Sequence, residues 1–361
     1  MADNGSNSTK AVQVARPVIL VGGQEDVALA QGLLGMLVVE NTTGLYRCEA
    51  RFGNWGNVNR KTDFLYFDRS KLDFGKAFQV KFDRDVVFEG RIMGLEAHFP
   101  EGKTPEITVL AEDRFQDLRM TRRTRTFQDA SDSDVFNRIA NDHGLSPNVS
   151  LSGPTHKVLA QVNQSDLAFL RERARANDVE LWMDGSTLNA RPHPNRDRGT
   201  LKMSYGKELR EFSVLGDLAG QRTSVTVSGW DVAGKQGVKY EATQSTISSE
   251  LNGNSSGASI LRSAIGERKE AVAHTVPITS QEAQAEAEAY FKLISRRFLT
   301  GRGVAQPSAR LRVGAYVDLE ALGPLFNGKY YVSEIRHIFG GSKPGMRTEF
   351  TAERPWLGRS S

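Results

Sequence analysis

Residues 165–184 read SDLAFLRERARANDVELWMD, and the stretch changes character halfway. Ser165 is suited to cap a helix and Asp166 to sit at the positive end of its dipole. Leu167, Leu170 and Ala174 then fall on one helical stripe, which reads as core rather than as a ligand site. Asn177 and Asp178 stop the helix. Val179, Leu181 and Met183 next alternate with Glu180, Trp182 and Asp184, the pattern of a half-buried strand. The tripeptide DGS (184–186) predicts a tight turn, and TLNARP (187–192) returns as the paired strand. A helix followed by a hairpin differs from the text on either side, which reads as β. It predicts a small α/β module set into a mainly β chain.

Working outward, a second helix of the module is predicted at SDSDVFNRIANDHGL (131–145). Ser131 and Asp134 have capping-box spacing, with Ser133 a competing N-cap. Val135, Phe136, Ile139 and Ala140 form one face, and Gly144 is placed to end the helix. Before the module, LGMLVVE (34–40), LYRCEARF (45–52), FLYF (64–67), AFQVKF (77–82), VVFEGRIMGLEAHF (86–99) and EITVLAED (106–113) are short, rich in Val, Ile, Phe and Tyr, and separated by turn residues. After it, RTSVTVSGWD (222–231), ARLRVGAYVDLEAL (309–322), KYYVSEIRHIF (329–339) and MRTEFTAER (346–354) resume the pattern. Two segments interrupt this second region. SSELNGNSSG (248–257) reads as a polar, mobile loop. TSQEAQAEAEAYFKLISRRFL (279–299) reads as a long helix, with Thr279 and Glu282 as its capping box.

The expected organisation is a disordered tail at 1–15, a first β-barrel at 16–118, an α/β insert at 119–198, and a second β-barrel at 199–361 that carries a helix at about 279–300. The two β regions overlay. AFQVKF, VVFEGRIMGLEAHF and TPEITVLAEDR lie over AYVDL, KYYVSEIRHIF and GMRTEFTAER, with Ile92 over Ile335, Phe99 over Phe339, and Thr108 to Glu112 over Thr348 to Glu353. The fold class is therefore mainly β with an α+β insert: two tube-like barrels related by an internal repeat, with an α/β module between them. If the repeat holds, a trimer presents six similar barrels in a ring and matches a three-fold object to a six-fold one.

Composition narrows the function. The 361 residues exceed one typical domain, and 39% hydrophobic with 25% charged residues is ordinary for a folded soluble chain. A net charge of +4 does not by itself imply nucleic acid. The dense basic run RMTRRTR (119–125) reads as a solvated linker rather than a nucleic-acid patch. The opening MADNGSNSTK lacks an apolar segment and reads as neither signal peptide nor anchor, and no apolar run reaches membrane-helix length. The single cysteine, Cys48, reads as a buried small residue, not a reactive thiol. His98, His143, His156, His193, His274 and His337 are scattered, without metal-ligand spacing. No nucleophile elbow or phosphate loop appears. No catalytic, cofactor-binding or metal residue is singled out, although a pair of glycosidase carboxylates has no sequence signature and stays open.

Five stretches resemble one family. DLAFLRERARANDVELWMDGSTL (166–188) resembles the motif SDLxFLxRLAxExG(I/V)xxWxxxxxL of tail hub proteins of contractile phages, the late control protein D family, found also in the hub part of type VI secretion spike proteins and of extracellular contractile injection systems. RTRTFQDASDSDVFNRIANDHGL (123–145) resembles the family's preceding helix, and VSGWD (227–231) its V-x-G-W-D/N motif. LRVGAYVDLEALGPLFNGKYYVSEIRHIF (311–339) and RTEFTAERPW (347–356) resemble its closing segments. Together the stretches span roughly 85 to 355 in family order.

The resemblance implies two tube-like barrels with an α/β insert on the outside of a trimeric ring. It implies a structural baseplate hub: a homotrimeric adaptor joining a hexameric tail tube to a trimeric spike. Its partners would be itself, the tube protein, a separate spike protein, baseplate wedge proteins and effector cargo. DNA or protein would pass through a polar lumen, and the hub would assemble in the bacterial cytoplasm. Because the text stops after ERPWLG (353–358), the resemblance is to a stand-alone hub without a spike. No enzyme activity, cofactor or membrane insertion is expected. The alternatives are a tail-associated cell-wall hydrolase and a glycan- or effector-binding β module using Trp55 or Trp230.

Overall fold

The computed structural model describes residues 16–82, 84–273, 276–340 and 345–358; the expected tail at 1–15 and His274 lie outside them. The Val-, Ile- and Phe-rich runs pair as expected, and their pairing is shared: 13 strands form one sheet. They are β1 Val18–Val21, β2 Gln24–Glu25, β3 Leu33–Asn41, β4 Arg47–Gly53, β5 Ala77–Phe82, β6 Asp85–His98, β7 Glu106–Glu112, β8 Thr200–Ser204, β9 Leu209–Gly216, β10 Leu299–Ala305, β11 Tyr316–Glu320, β12 Gly328–Gly340 and β13 Met346–Arg354. The order is β9–β10–β13–β12–β3–β4–β7–β6–β5–β1–β2, with β11 beside the start of β12 and β8 beside β11. All neighbours are antiparallel except β8 and β11. Two separate barrels were expected. Instead β3 of the first region pairs with β12 of the second, Met36 opposite Phe339, so both regions share one sheet. Among the described residues no pairing closes that sheet into a barrel.

Within it, the series β5–β6–β7–β4–β3 has the order of β11–β12–β13–β10–β9. The registers agree too. Ile92 faces Ala111 and Val332 faces Ala352; Met36 faces Ala50 and Phe212 faces Gly303. Each series bulges between the same positions, at Ile92/Gly94 and Val332/Glu334 in the long strand and at Leu33/Gly35 and Leu209/Glu211 in the last. In this register Ile92 corresponds to Val332, not Ile335, so that part of the sequence overlay was three residues out. Carried one residue past His98, the same offset sets Phe99 beside Phe339.

The module contains α1 Asp132–Asp142 and α2 Asp166–Ala176. Ser131 and Asp134 form the full capping box, and Ser133 is not used. The strand Val179–Asp184 pairs with Thr187–Pro192 as read from sequence. It is buried on both faces rather than one: Glu180, Leu181, Trp182 and Met183 are all buried. Leu181 and Met183 enter the module's own core with Phe136, Ile139 and Leu170, while Trp182 joins the core of the first β region. The quoted stretch is thus a key pressed between module and sheet.

Other expectations need correction. Residues 64–67 form no strand, because the buried Asn54 side chain accepts the Leu65 and Tyr66 backbone N–H groups at 2.9 and 2.8 Å and fixes a loop. The basic run is not a linker: Arg122–Ser131 is a strand paired with Thr155–Ser165. In ARLRVGAYVDLEAL only Tyr316–Glu320 is strand. The loop read as mobile at 248–257 is built in. Ser255–Ser256 pairs with Trp356–Leu357, and Ser256 caps the helix Gly257–Ala264. Finally, the helix expected in the second region is present, and a separate small sheet that was not expected packs with it. Between β9 and β10 lie a three-stranded sheet (Gln236–Thr243, Ser224–Asp231, Lys269–Val272) and α3, Ser280–Arg296, with a core of their own around Val225, Ala283, Ala287 and Phe291.

Candidate functional site

A strand buried on both faces must have its polar side chain paired, and Glu180 is where this shows. It accepts from His193 Nδ1 at 2.7 Å, Arg196 at 2.9 Å and the Tyr331 hydroxyl at 2.7 Å. Burial would raise its pKa, but the His193 hydrogen bond and the His193 and Arg196 charges hold it down to about 2. Arg196 also reaches the Tyr46 hydroxyl and lies over the Trp182 ring, 4.6 Å from its centre. Next to this group, Arg312 pairs with Glu40 and donates to Val86 O at 2.8 Å. Arg296, which lines one cleft with Glu180 and His193, binds Asp178 and Glu250. Sequence reading missed this cluster. Glu180 looked like the wet face of a strand, and its partners lie 13, 16 and 151 residues away.

A second cluster joins the module to α3. Asp132 accepts from Arg173 at 2.5 and 2.9 Å, from Asn177 at 2.9 Å and from His156 Nε2 at 3.3 Å, while His156 Nδ1 meets Glu282 at 2.6 Å. Burial lowers His156, but its bonds to Asp132 and Glu282 outweigh this and push it up to about 9. Glu282 is therefore spoken for. It turns to Ile278 N and His156, and the expected capping box at Thr279 is only half made, by Thr279 accepting from Glu282 N.

These groups do structural work. The carboxylates of Glu180, Asp132, Asp178 and Glu40 are each held by cations, so none is poised as a base. Glu353 is pushed up by burial and lines one cleft with Glu334 and the fully engaged Glu180. Among the described residues no group of three His, Cys, Asp or Glu is arranged to hold a metal. Cys48 is buried in the first core, with its thiol pushed up by burial. Arg125 of the basic run pairs with Asp142 and Asp166, and Arg123 with Asp166. Trp230 is exposed. Trp55 is exposed in a ring cluster: its centroid is 5.0 Å from Phe64, which lies 4.8 Å from Phe67 and 6.2 Å from Phe99. No helix among the described residues is long and apolar enough to cross a membrane.

The fold, a shared antiparallel sheet keyed by a helix–hairpin module, is that of phage tail and type VI secretion proteins. The prophage MuSo2 43 kDa tail protein from Shewanella oneidensis superposes with a TM-score of 0.69 at 14% identity, over 94% of this chain and 98% of that one. The tail protein from Neisseria meningitidis MC58 gives 0.66 at 12%, over 95% and 98%. The E. coli c3393 protein, a type VI secretion component described as similar to the T4 tail proteins gp27 and gp5, gives 0.58 at 12%, over 95% and 79%. By sequence, a family model described as Alg8 N-terminal domain matches residues 61–340, and the chain belongs to that family. That description is not one of a tail hub; the likeness to tail proteins is one of fold. No curated protein matches the chain.

Proposed function

We propose that the chain is a structural hub of a contractile phage tail or contractile injection system, a homotrimeric adaptor between a hexameric tail tube and a trimeric spike. The supporting observation is the doubled strand series: two five-strand sets of one order and register, with bulges at matching places, in a single chain with a tail-protein fold. A repeat of that kind gives a three-fold assembly six similar units, the requirement for meeting a six-fold tube. On this reading residues 16–118 and most of 199–361 build the ring wall, 119–198 form the module that braces it, and the partners are the tube, a separate spike, wedge proteins and passing cargo. The chain carries no reaction of its own and works as a component of the particle after assembly in the bacterial cytoplasm. Light scattering across a concentration series tests the reading. A trimer, or a monomer that becomes trimeric when spike protein is added, supports it; a monomer indifferent to tube and spike proteins overturns it.

A further inference from the structure

The doubled series leaves one question open at its ends. Inside the chain, the last strand of the first set, β3, pairs along Leu37–Asn41 and Met36 with the second half of β12. The equivalent strand of the second set is β9, and the equivalent half-strand of the first set is Gly94–His98 of β6. Among the described residues, no strand pairs the outer edge of β9 along Phe212–Gly216. None pairs the second edge of Gly94–His98, whose first edge is held by β7.

The side chains follow the same division. Phe339 and Val39, covered where β12 meets β3, are 6% and 8% exposed; their counterparts Phe99 and Leu215 are 61% and 64% exposed. Ile335 and His337 are fully buried, whereas Leu95 is half-buried and Ala97 exposed. The apolar positions covered at the intrachain seam are more exposed at the free edges. Long apolar edges of this kind are liabilities in an isolated chain.

We propose that these two edges pair with each other between copies, β9 of one chain adding to β6 of the next and repeating the register of the β3–β12 seam. This rests on the oligomeric hub reading and names its contact. Carrying the seam's register across places Leu95 opposite Gly216, Glu96 opposite Leu215, Ala97 opposite Val214, His98 opposite Ser213 and Phe99 opposite Phe212 of the neighbour. Phe212 and Val214 pack on the core of the second region. Phe99 therefore lands on that core as Phe339 lands on the first. The contact is head-to-tail and uses different surfaces on its two sides, the kind that forms a ring where the rotation between copies closes. It gives the exposed Trp55–Phe64–Phe99 cluster a cover.

Directly opposed antiparallel residues are within disulfide reach, and Cys48 is fully buried. The test is the full-length double variant His98→Cys with Ser213→Cys, oxidised mildly and run on a non-reducing gel. The expected result is disulfide-linked dimers and trimers, with cross-linked dimers alone when the two single variants are mixed. Separately, Leu215→Asp and Phe99→Asp should keep their circular dichroism spectrum and shift the mass from oligomer to monomer. An oligomer that forms with wild-type mass but gives no cross-link, or that survives both Asp substitutions, overturns the edge pairing and leaves the hub reading standing. A chain that stays monomeric with and without spike protein overturns both.

Discussion

Four donor groups converge on the buried carboxylate of Asp132, two of them from Arg173. Asp132→Ala leaves Arg173 without its anion and His156 with Glu282 alone, and should cost about 3–5 kcal/mol, read as a lowered urea midpoint. His156 beside it supplies a pH dependence. Its folded pKa of about 9 stands above the ordinary 6.5. The stabilisation is thus complete below about pH 6.5 and lost as pH rises through 9. Wild type should lose about 3 kcal/mol over that window relative to His156→Gln, and parallel curves for the two proteins would contradict it. The glycine of VSGWD has an equally local reason: a Cβ on Gly229 would stand 1.9 Å from Pro277 O. Gly229→Ala should therefore destabilise by about 1–3 kcal/mol, with the strand Ser224–Asp231 losing amide protection first.

Elements were legible where their signals are local. The helix and hairpin of 165–192 and the capped α1 follow from caps, stripes and a Gly turn within a few residues. Ser131→Ala removes the hydroxyl half of the α1 box, leaves the backbone N–H of residue 131 on Asp134, and should cost about 1 kcal/mol by thermal unfolding. Signals failed where a distant group decides. FLYF has strand composition, but Asn54 takes its backbone N–H groups. The polar text at 248–257 reads as loose, yet Trp356–Leu357 pairs with it from a hundred residues on. The helix between β9 and β10 was read from its own text, but the separate sheet beside it was not, since its strands look no different from those of the main sheet. Half-buried alternation at 179–184 was misjudged because no local feature reveals that a second layer covers Glu180 and Trp182.

At the scale of the molecule, the likeness of the two β regions was read from their text, and the two strand series run in one order. What the text could not give was the seam. Pairing of β3 with β12 is a contact across some three hundred residues, and it turns two expected barrels into one shared sheet. Among the described residues that sheet leaves an unpaired edge in each strand series, and the proposed ring needs those edges to meet around an axis. The most direct measurement is electron microscopy of the purified assembly, averaged in end view. Three-fold symmetry with six similar lobes around a central opening is the predicted result. An asymmetric particle, or a ring whose lobes alternate between two unlike shapes, would contradict it.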